Sequence, residues 1–346
     1  MAIQRLRPTF AATNIIDSED RTDRVVLTAN RDHNTERTAR LDSVVFRNDL
    51  TQDAALEAVC DHEGEIDIVT EISPADVERV EGSDHAKLVT IDANRLVVGI
   101  FNTYESHDAP LGDLRVREAI NWAVDRHRLV DDVLGGYATP LVAMTPSWCN
   151  GIVPGATARR ADAAKARALF EGTGWPDGRG LRIATPENLT GIAEFVAAEV
   201  RQALGIDAEV IVVPAAALTG GARMLIEKKL VPPWDVLIHA WFDLSSDLPP
   251  AVVHREFFGQ DGAFRAGPLD PHFDELFAEM VRQTDGPRAI AVAERIDRYV
   301  FEQCKALFLC SPKALYAVNR HVDFKAYKCT FELADTEVSE EHWSRR

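Results

Sequence analysis

Cysteine is scarce and shows no pairing pattern: five in 346 residues, at Cys60, Cys149, Cys304, Cys310 and Cys329, with no CxxC spacing. An odd count without a doublet excludes a zinc knuckle or a disulfide framework and predicts reduced, mostly buried thiols. The histidines stand singly, without HExxH and without a second ligand one helical turn away, so no metal site, metal chemistry or other cofactor is expected. No apolar run approaches the roughly 20 residues that span a bilayer, which argues against membrane insertion. The opening MAIQRLRPTFAATNIIDSEDRTDR has basic residues but no continuous apolar core and no cleavage site. It does not read as a secretory signal, and the chain as written is expected in the cytoplasm. Positive charge is also short: 38 Lys and Arg against 55 Asp and Glu leave a net −17, which argues against nucleic acid and anionic membranes and favours cationic or neutral partners. No helix pair with a basic face is present to read DNA.

What is present is apolar and periodic. At 46% apolar residues the chain can bury a large core, as one large domain or two ordinary ones. Its clearest stretch runs from Asp113 to Pro140. Asp113 caps a helix in which Val116, Ala119, Ile120 and Ala123 share one face, while Arg115, Arg117 and Glu118 are expected to stay wet. Asp125 caps a second helix, with Leu129, Val130, Val133 and Leu134 buried and Gly135-Gly136 as its left-handed stop.

On either side, strands and helices alternate. Residues 1 to 22 lack periodicity and read as a mobile or docking arm. Arg24–Asn30 and Leu41–Arg47 read as strands, Ala54–Val59 as a short helix, Gly64–Val69 as a buried strand, and Pro74 opens another helix. Arg95–Phe101 is a strand ending at Asn102-Thr103. Asp162–Phe170 is a helix followed by a Trp175-Pro176-Asp177-Gly178 turn. Leu181–Ile183, Ile192–Leu204 and Ala208–Val213 then give a β-α-β unit, which implies a largely parallel sheet with right-handed crossovers. Trp234–Trp241 is a strand, two amphipathic helices start near Phe273 and Ala289, strands follow at Leu307–Cys310 and Leu315–Val318, and the charged tail from Asp335 to Arg346 is expected to fray.

Several of these segments together resemble the extracellular solute-binding protein family 5, the dipeptide, oligopeptide and nickel receptors of ABC importers. The resemblance is carried by Asn102-Thr103, by Asp113-Leu114-Arg115-Val116-Arg117 with Ala119, by Asp125-Arg126, and by Gly135-Gly136-Tyr137-Ala138 with Pro140. The Gly64-Glu65-Ile66-Asp67-Ile68-Val69 run, the Trp-Pro-Asp-Gly turn and Trp241 with Asp247 extend it over about residues 24 to 330. It implies an α/β fold: a periplasmic-binding-protein-like (type II) second lobe with a mainly parallel sheet flanked by helices, plus a remnant of the first lobe. The family's long N-terminal portion has no counterpart, so the chain reads as truncated. Residues 1–49 form an arm and lobe-one remnant, 50–315 the solute-binding-like lobe, and 316–346 the return strands and tail.

The resemblance also points to a site. In the family a tryptophan precedes an acid that anchors the ligand's amine; Trp241 fits, the anchor position falls at Leu244, and an acid stands one place earlier at Asp243. Trp241 and Phe242 beside Asp243 and Asp247 would suit a cationic or planar apolar ligand, or else the tryptophan packs in the sheet rim and the aspartates cap turns. Asn102 and Thr103, at a strand exit, either hold a turn or touch ligand. The segment Thr190-Gly191-Ile192-Ala193-Glu194 lacks the arginine with which the family's peptide receptors pair a ligand carboxylate.

Three functions follow as expectations. The first is a binding module for a small organic ligand, cationic or peptide-like, in a cleft completed by a homodimer mate or partner protein, because one lobe offers half a cleft. The second is a cofactor-free enzyme drawing an acid or base from Asp243, Asp247, His239 and Glu256. No catalytic constellation is visible, so no catalytic residue is assigned. The third is a cytoplasmic sensor or assembly subunit.

Overall fold

The computed structural model describes residues 13–16, 23–29, 40–104, 108–214, 217, 233–242 and 251–346. They divide into two compact units, Met1–Ile91 with Ala314–Arg346, and Asp92–Lys313.

In the first unit β1 (Thr13–Ile16), β2 (Arg24–Ala29) and β3 (Ser43–Arg47) form an antiparallel meander, with Val26 opposite Val45. β1 falls within the stretch expected to be an arm. Helix α1 (Gln52–Asp61) starts at Thr51, whose hydroxyl accepts from the Ala54 amide at 3.2 Å. The strand expected from Gly64 shortens to β4 (Ile68–Thr70), because Gly64 takes a left-handed φ of 104° in the preceding turn. Pro74 opens a 3₁₀ turn that leads into α2 (Val77–Glu81), and β5 (Ala86–Asp92) closes this part of the chain.

The tail is docked rather than frayed. Glu337–Val338 pairs antiparallel with Val322–Asp323, and His342 is buried with Nε2 2.9 Å from Asp67 Oδ1. The Trp343 indole donates to the same oxygen at 2.9 Å, Asn319 Nδ2 lies 3.2 Å from it, and Arg346 pairs with Glu63 at 3.0 Å. The charge count of this segment concealed that its acids and bases have partners far away in sequence. Because bonds to an ionised carboxylate are each worth ~1.5–3 kcal/mol, Asp67→Ala is expected to speed tryptic cleavage after Arg345 by at least about tenfold. Unchanged cleavage would show that the tail is held by something else.

The second unit contains β6 (Arg95–Phe101), α3 (Leu114–Ala123), α4 (Arg126–Arg128), β7 (Ala138–Pro140), α5 (Ala163–Phe170), β8 (Leu181–Pro186), α6 (Thr190–Leu204), β9 (Ala208–Val213) and β10 (Val236–Phe242). It continues with α7 (Ala251–Phe258), α8 (Pro271–Val281), α9 (Gly286–Glu302) and the part of β11 (Ala306–Asn319) up to Lys313. Acidic caps set most helix starts: Asp113 accepts from the Arg115 amide at 2.9 Å, Asp125 from His127 at 2.9 Å, Asp162 from Lys165 at 2.9 Å and Asp270 from Phe273 at 3.1 Å. After α4 the chain widens into a π turn over Leu129–Val133 before Gly135 and Gly136, both at positive φ, end it.

The strand order is β11-β6-β10-β8-β9, with β7 also on β11. Only β9-β8-β10 run parallel; β10 with β6 and β6 with β11 are antiparallel. The sheet is therefore mixed rather than mainly parallel. The β-α-β unit imposes its direction on three strands, while β6 and β11 carry the chain into and out of the unit in opposite senses.

Both faces of this sheet are covered. Along β6, Val97 and Phe101 join the core under α3, α5 and α6, while Leu96, Val98 and Ile100 join the core under α7, α8 and α9. Gly99 lies between β10 and β11, where a Cβ would stand 2.6 Å from Val236 Cγ1 and 3.1 Å from Leu307 Cβ. Cys60, Cys304 and Cys310 are buried, and burial pushes their thiols up, to about 12 for Cys310, so they stay protonated at neutral pH. Among the described residues no helix is long and apolar enough to cross a membrane.

Candidate functional site

The parallel trio fixes one edge of the sheet. Ala184 pairs with Ile211 on β9 and with Leu237 on β10, so Pro186, Val213 and Phe242 all leave the sheet at the same end. The antiparallel β6 starts there, with Trp241 opposite Leu96 and Phe242 opposite Arg95. In open α/β sheets ligands are taken outside the carboxyl ends of parallel strands, which makes this edge the candidate site.

Trp241 is the large side chain that the edge presents. It is half-buried, with its ring 5.1 Å from Phe257 at 76° and 5.1 Å from Phe264 at 71°. Two edge-to-face contacts of this kind add ~0.5–1.5 kcal/mol each beyond buried area and hold the indole in one orientation. Nearby in the register, Asn94 Oδ1 accepts from the Trp148 indole at 3.2 Å, Lys313 pairs with Asp92 at 3.5 Å, and the Ser311 hydroxyl donates to the Arg95 carbonyl. At the end of β8 the Thr185 hydroxyl is fully buried and has no hydrogen-bond partner among the described residues. Burial holds His239 below its ordinary value, so its ring is neutral at pH 7 and adds no cation here. Glu256 is engaged at the turn after α7, taking the Ala263 amide at 3.3 Å and Arg255 at 3.4 Å.

The expected site residues do not all converge. Trp241 and the backbone of Phe242 lie at the carboxyl edge, while Asp243 and Asp247 lie outside the described residues. Asn102 and Thr103 lie at the opposite end of the β6–β10 pair, where Phe101 faces Val236. The five steps from Leu96 to Phe101 separate the two ends by about 17 Å at ~3.4 Å per residue. Both pairs follow the carboxyl end of a strand, but those strands run in opposite directions. Asn102 is fully buried; its amide nitrogen donates to the Trp234 carbonyl at 3.1 Å, its oxygen takes the Tyr104 amide at 3.4 Å, and its own backbone N–H donates to the Asp235 backbone carbonyl at 2.8 Å. Thr103 donates to the Ala266 carbonyl through its backbone amide at 2.8 Å and its hydroxyl at 3.3 Å.

Behind that turn is a cluster that residue patterns did not suggest. The Asp235 carboxylate has no exposure and takes Arg179 in a two-pronged contact at 2.7 and 2.9 Å. It also accepts the Arg182 amide at 2.7 Å and the Arg182 guanidinium at 3.1 Å. Asp108 bridges the same two arginines from outside at 2.7 and 2.8 Å. The Trp175–Gly178 turn positions Arg179: the Trp175 indole donates to the Arg179 carbonyl at 2.9 Å, and the guanidinium sits 5.1 Å from the ring centroid.

Two further arginines are internal. Arg117, expected to stay wet, is buried, and its guanidinium donates to the Leu111, Gly112, Gln303 and Cys304 carbonyls. Arg126 donates to the Phe308, Asn121 and Val124 carbonyls and to Asn121 Oδ1. Arg117 reads as exposed from sequence because it is not on the apolar stripe of α3; its acceptors at 303 and 304 lie nearly two hundred residues away. Among the described residues no group of three or more His, Cys, Asp or Glu side chains is placed to hold a metal ion.

Comparison with known proteins agrees with this architecture. Over 194 residues the chain is 30% identical to the nickel-binding periplasmic protein of Escherichia coli K12, covering 49% of this chain and 35% of the relative. Among solved structures, the ABC transporter substrate binding protein CtaP of Listeria monocytogenes superposes with a TM-score of 0.77 at 20% identity, covering 92% of this chain and 64% of that one. DppA of Helicobacter pylori, in complex with the peptide STSA, gives 0.74 at 20% identity over 93% and 62% of the two chains. The chain thus spans about a third of the nickel-binding relative and under two thirds of either structure. The likeness to these structures establishes an α/β fold of the type II periplasmic-binding-protein class. Residues 15–260, well over half of the sequence, match the family described as bacterial extracellular solute-binding proteins, family 5 (middle), and the chain belongs to that family.

Proposed function

We propose that this chain is a solute-receptor module that takes a small organic ligand, cationic or peptide-like, at the carboxyl edge of β8, β9 and β10. The observation that carries the reading is Trp241, held in T-shaped contact with Phe257 and Phe264 at the end of β10. An indole face attracts a cation, and Asp243 and Asp247 follow directly in the chain, in a molecule whose net charge is −17. The lack of an arginine between Thr190 and Glu194 favours recognition through an amine over recognition through a carboxylate. Relatives that bind nickel and peptides supply the class of activity.

A site that recognises a small molecule usually encloses 70–90% or more of its surface, roughly, and one sheet edge is a single wall. In this reading a partner subunit, a second copy or another protein, provides the other wall.

The test is a thermal-shift panel of cationic amino acids and dipeptides on wild type, Trp241→Ala and Asp243→Asn. A ligand that raises the melting temperature of wild type should lose most of its effect in Trp241→Ala, with affinity falling about tenfold or more, and should weaken in Asp243→Asn. Equal shifts in all three proteins would remove the carboxyl edge as the site. Native mass spectrometry tests the partner separately: a ligand-loaded monomer would eliminate the second chain and leave the site.

A further inference from the structure

Beside Thr103 a cavity of about 160 Å³ lies between the exit of β6, the turn before α3 and the segment linking α7 to α8. Ile100, Phe101, Phe257 and Phe258 form its apolar wall, and Arg117, Arg265, Lys305 and Asp270 are its charged groups. Three cations thus face one carboxylate in a chain that is otherwise acidic.

The partners of these groups show where charge is unanswered. Asp270 is ion-paired with Lys305 and takes the Tyr299 hydroxyl at 3.0 and 3.1 Å, so its charge is satisfied within the protein. Arg117 spends its donors on the backbone carbonyls named above. Arg265 donates from Nη1 to the Gly267 carbonyl, and its buried Nε–H has no partner among the described residues. A buried guanidinium donor left without an acceptor is costly, and a carboxylate is the acceptor whose geometry matches it.

We propose that this cavity binds a small monocarboxylate with a short apolar tail, the carboxylate on the guanidinium of Arg265 and the tail against Phe257 and Phe258. The volume sets the size, because a cavity of roughly 150 Å³ accepts a six-carbon ring, so a ligand of about six heavy atoms such as butyrate fits. The apolar wall selects against a fully hydrated oxyanion such as phosphate, which would lose its water on three phenylalanines without recompense.

Isothermal titration of the intact chain with sodium butyrate, butyramide and inorganic phosphate tests this. Butyrate should bind about tenfold more tightly than its neutral amide, since a charge-assisted contact to Arg265 is lost in the amide. Arg265→Gln should weaken butyrate by about tenfold and leave the weaker binding of butyramide within about twofold of wild type. Equal affinity for butyrate and butyramide, no heat with either, or tighter binding of phosphate would overturn the proposal. These contrasts are made on wild type and decide the matter even if Arg265→Gln fails to fold.

Discussion

Asp235→Ala is expected to cost the second unit about 3–5 kcal/mol of stability, the range for removing one partner of a buried, hydrogen-bonded ion pair. The carboxylate is wholly inaccessible, and it alone offsets Arg179 and Arg182 from the inside. Asp108 contacts the same arginines at similar distances but is 64% exposed on its side chain, so Asp108→Ala should cost no more than ~1 kcal/mol. Urea denaturation of the two variants makes the comparison, and equal losses would show that burial does not set the strength of this cluster. The pH dependence has a definite sign. Burial would raise the Asp235 carboxyl, but hydrogen bonds from Arg179 and Arg182 outweigh it and hold the group below its ordinary value. The unfolded chain therefore binds this proton first. The stabilisation is complete above the unfolded value, about 3.9, and is lost as pH falls through the folded one. Asp235→Ala should flatten the acid limb of the stability curve below about pH 4.

Arg126→Met should be nearly as damaging. Two effects oppose each other at this residue. Its guanidinium is fully buried and ion-paired with no carboxylate among the described residues, and burial lowers it to about 9, so removing the charge relieves a desolvation cost. Against that, the carbonyls of Phe308, Asn121 and Val124 and the side-chain oxygen of Asn121 would lose donors held at 2.6 to 2.9 Å. Orphaning each buried acceptor costs ~1–3 kcal/mol, so four outweigh the relief and the net loss should reach at least about 3 kcal/mol. Arg126→Lys should not rescue it, because one ammonium cannot satisfy acceptors arrayed around a planar fork. A melting temperature for Arg126→Met within ~2 °C of wild type would mean that the charge's desolvation cancels the bonds.

Local chemistry was readable from residues alone. The aspartate caps at 113 and 125, the glycine stop at 135 and 136, and the strand over Arg95–Phe101 depend on neighbours a few residues away, and each appears in the fold. What was not readable depends on partners more than a hundred residues distant. Pairing of β6 with β10 sends their exits to opposite ends of the sheet, so Asn102 and Trp241 could not be separated by inspecting their own flanks. The same holds for Arg117 and Arg126, whose acceptors lie at 303, 304 and 308. It holds too for the tail, where the deciding residue is Asp67. Trp241 is singled out by the family resemblance, and the structure sets it at the end of β10. Arg265 was missed because an arginine in a Gly-rich segment reads as a solvated one, and only the cavity beside it shows otherwise.

The discontinuity of the first unit has a consequence for the order in which the protein is made. Met1–Ile91 leaves the ribosome before the second unit, yet its companion segment Ala314–Arg346 is synthesised after it. Until then β4 lacks the strand that pairs Thr70 with Tyr316, and Asp67 lacks Asn319, His342 and Trp343. The intervening Asp92–Lys313, by contrast, holds within itself all of the strands that pair around β8 and β10, and can consolidate while translation continues. An early amino-terminal segment with an unpaired strand is exposed to chaperones for the duration of that wait, and a chain released just after Lys313 would carry one finished unit and one unfinished edge.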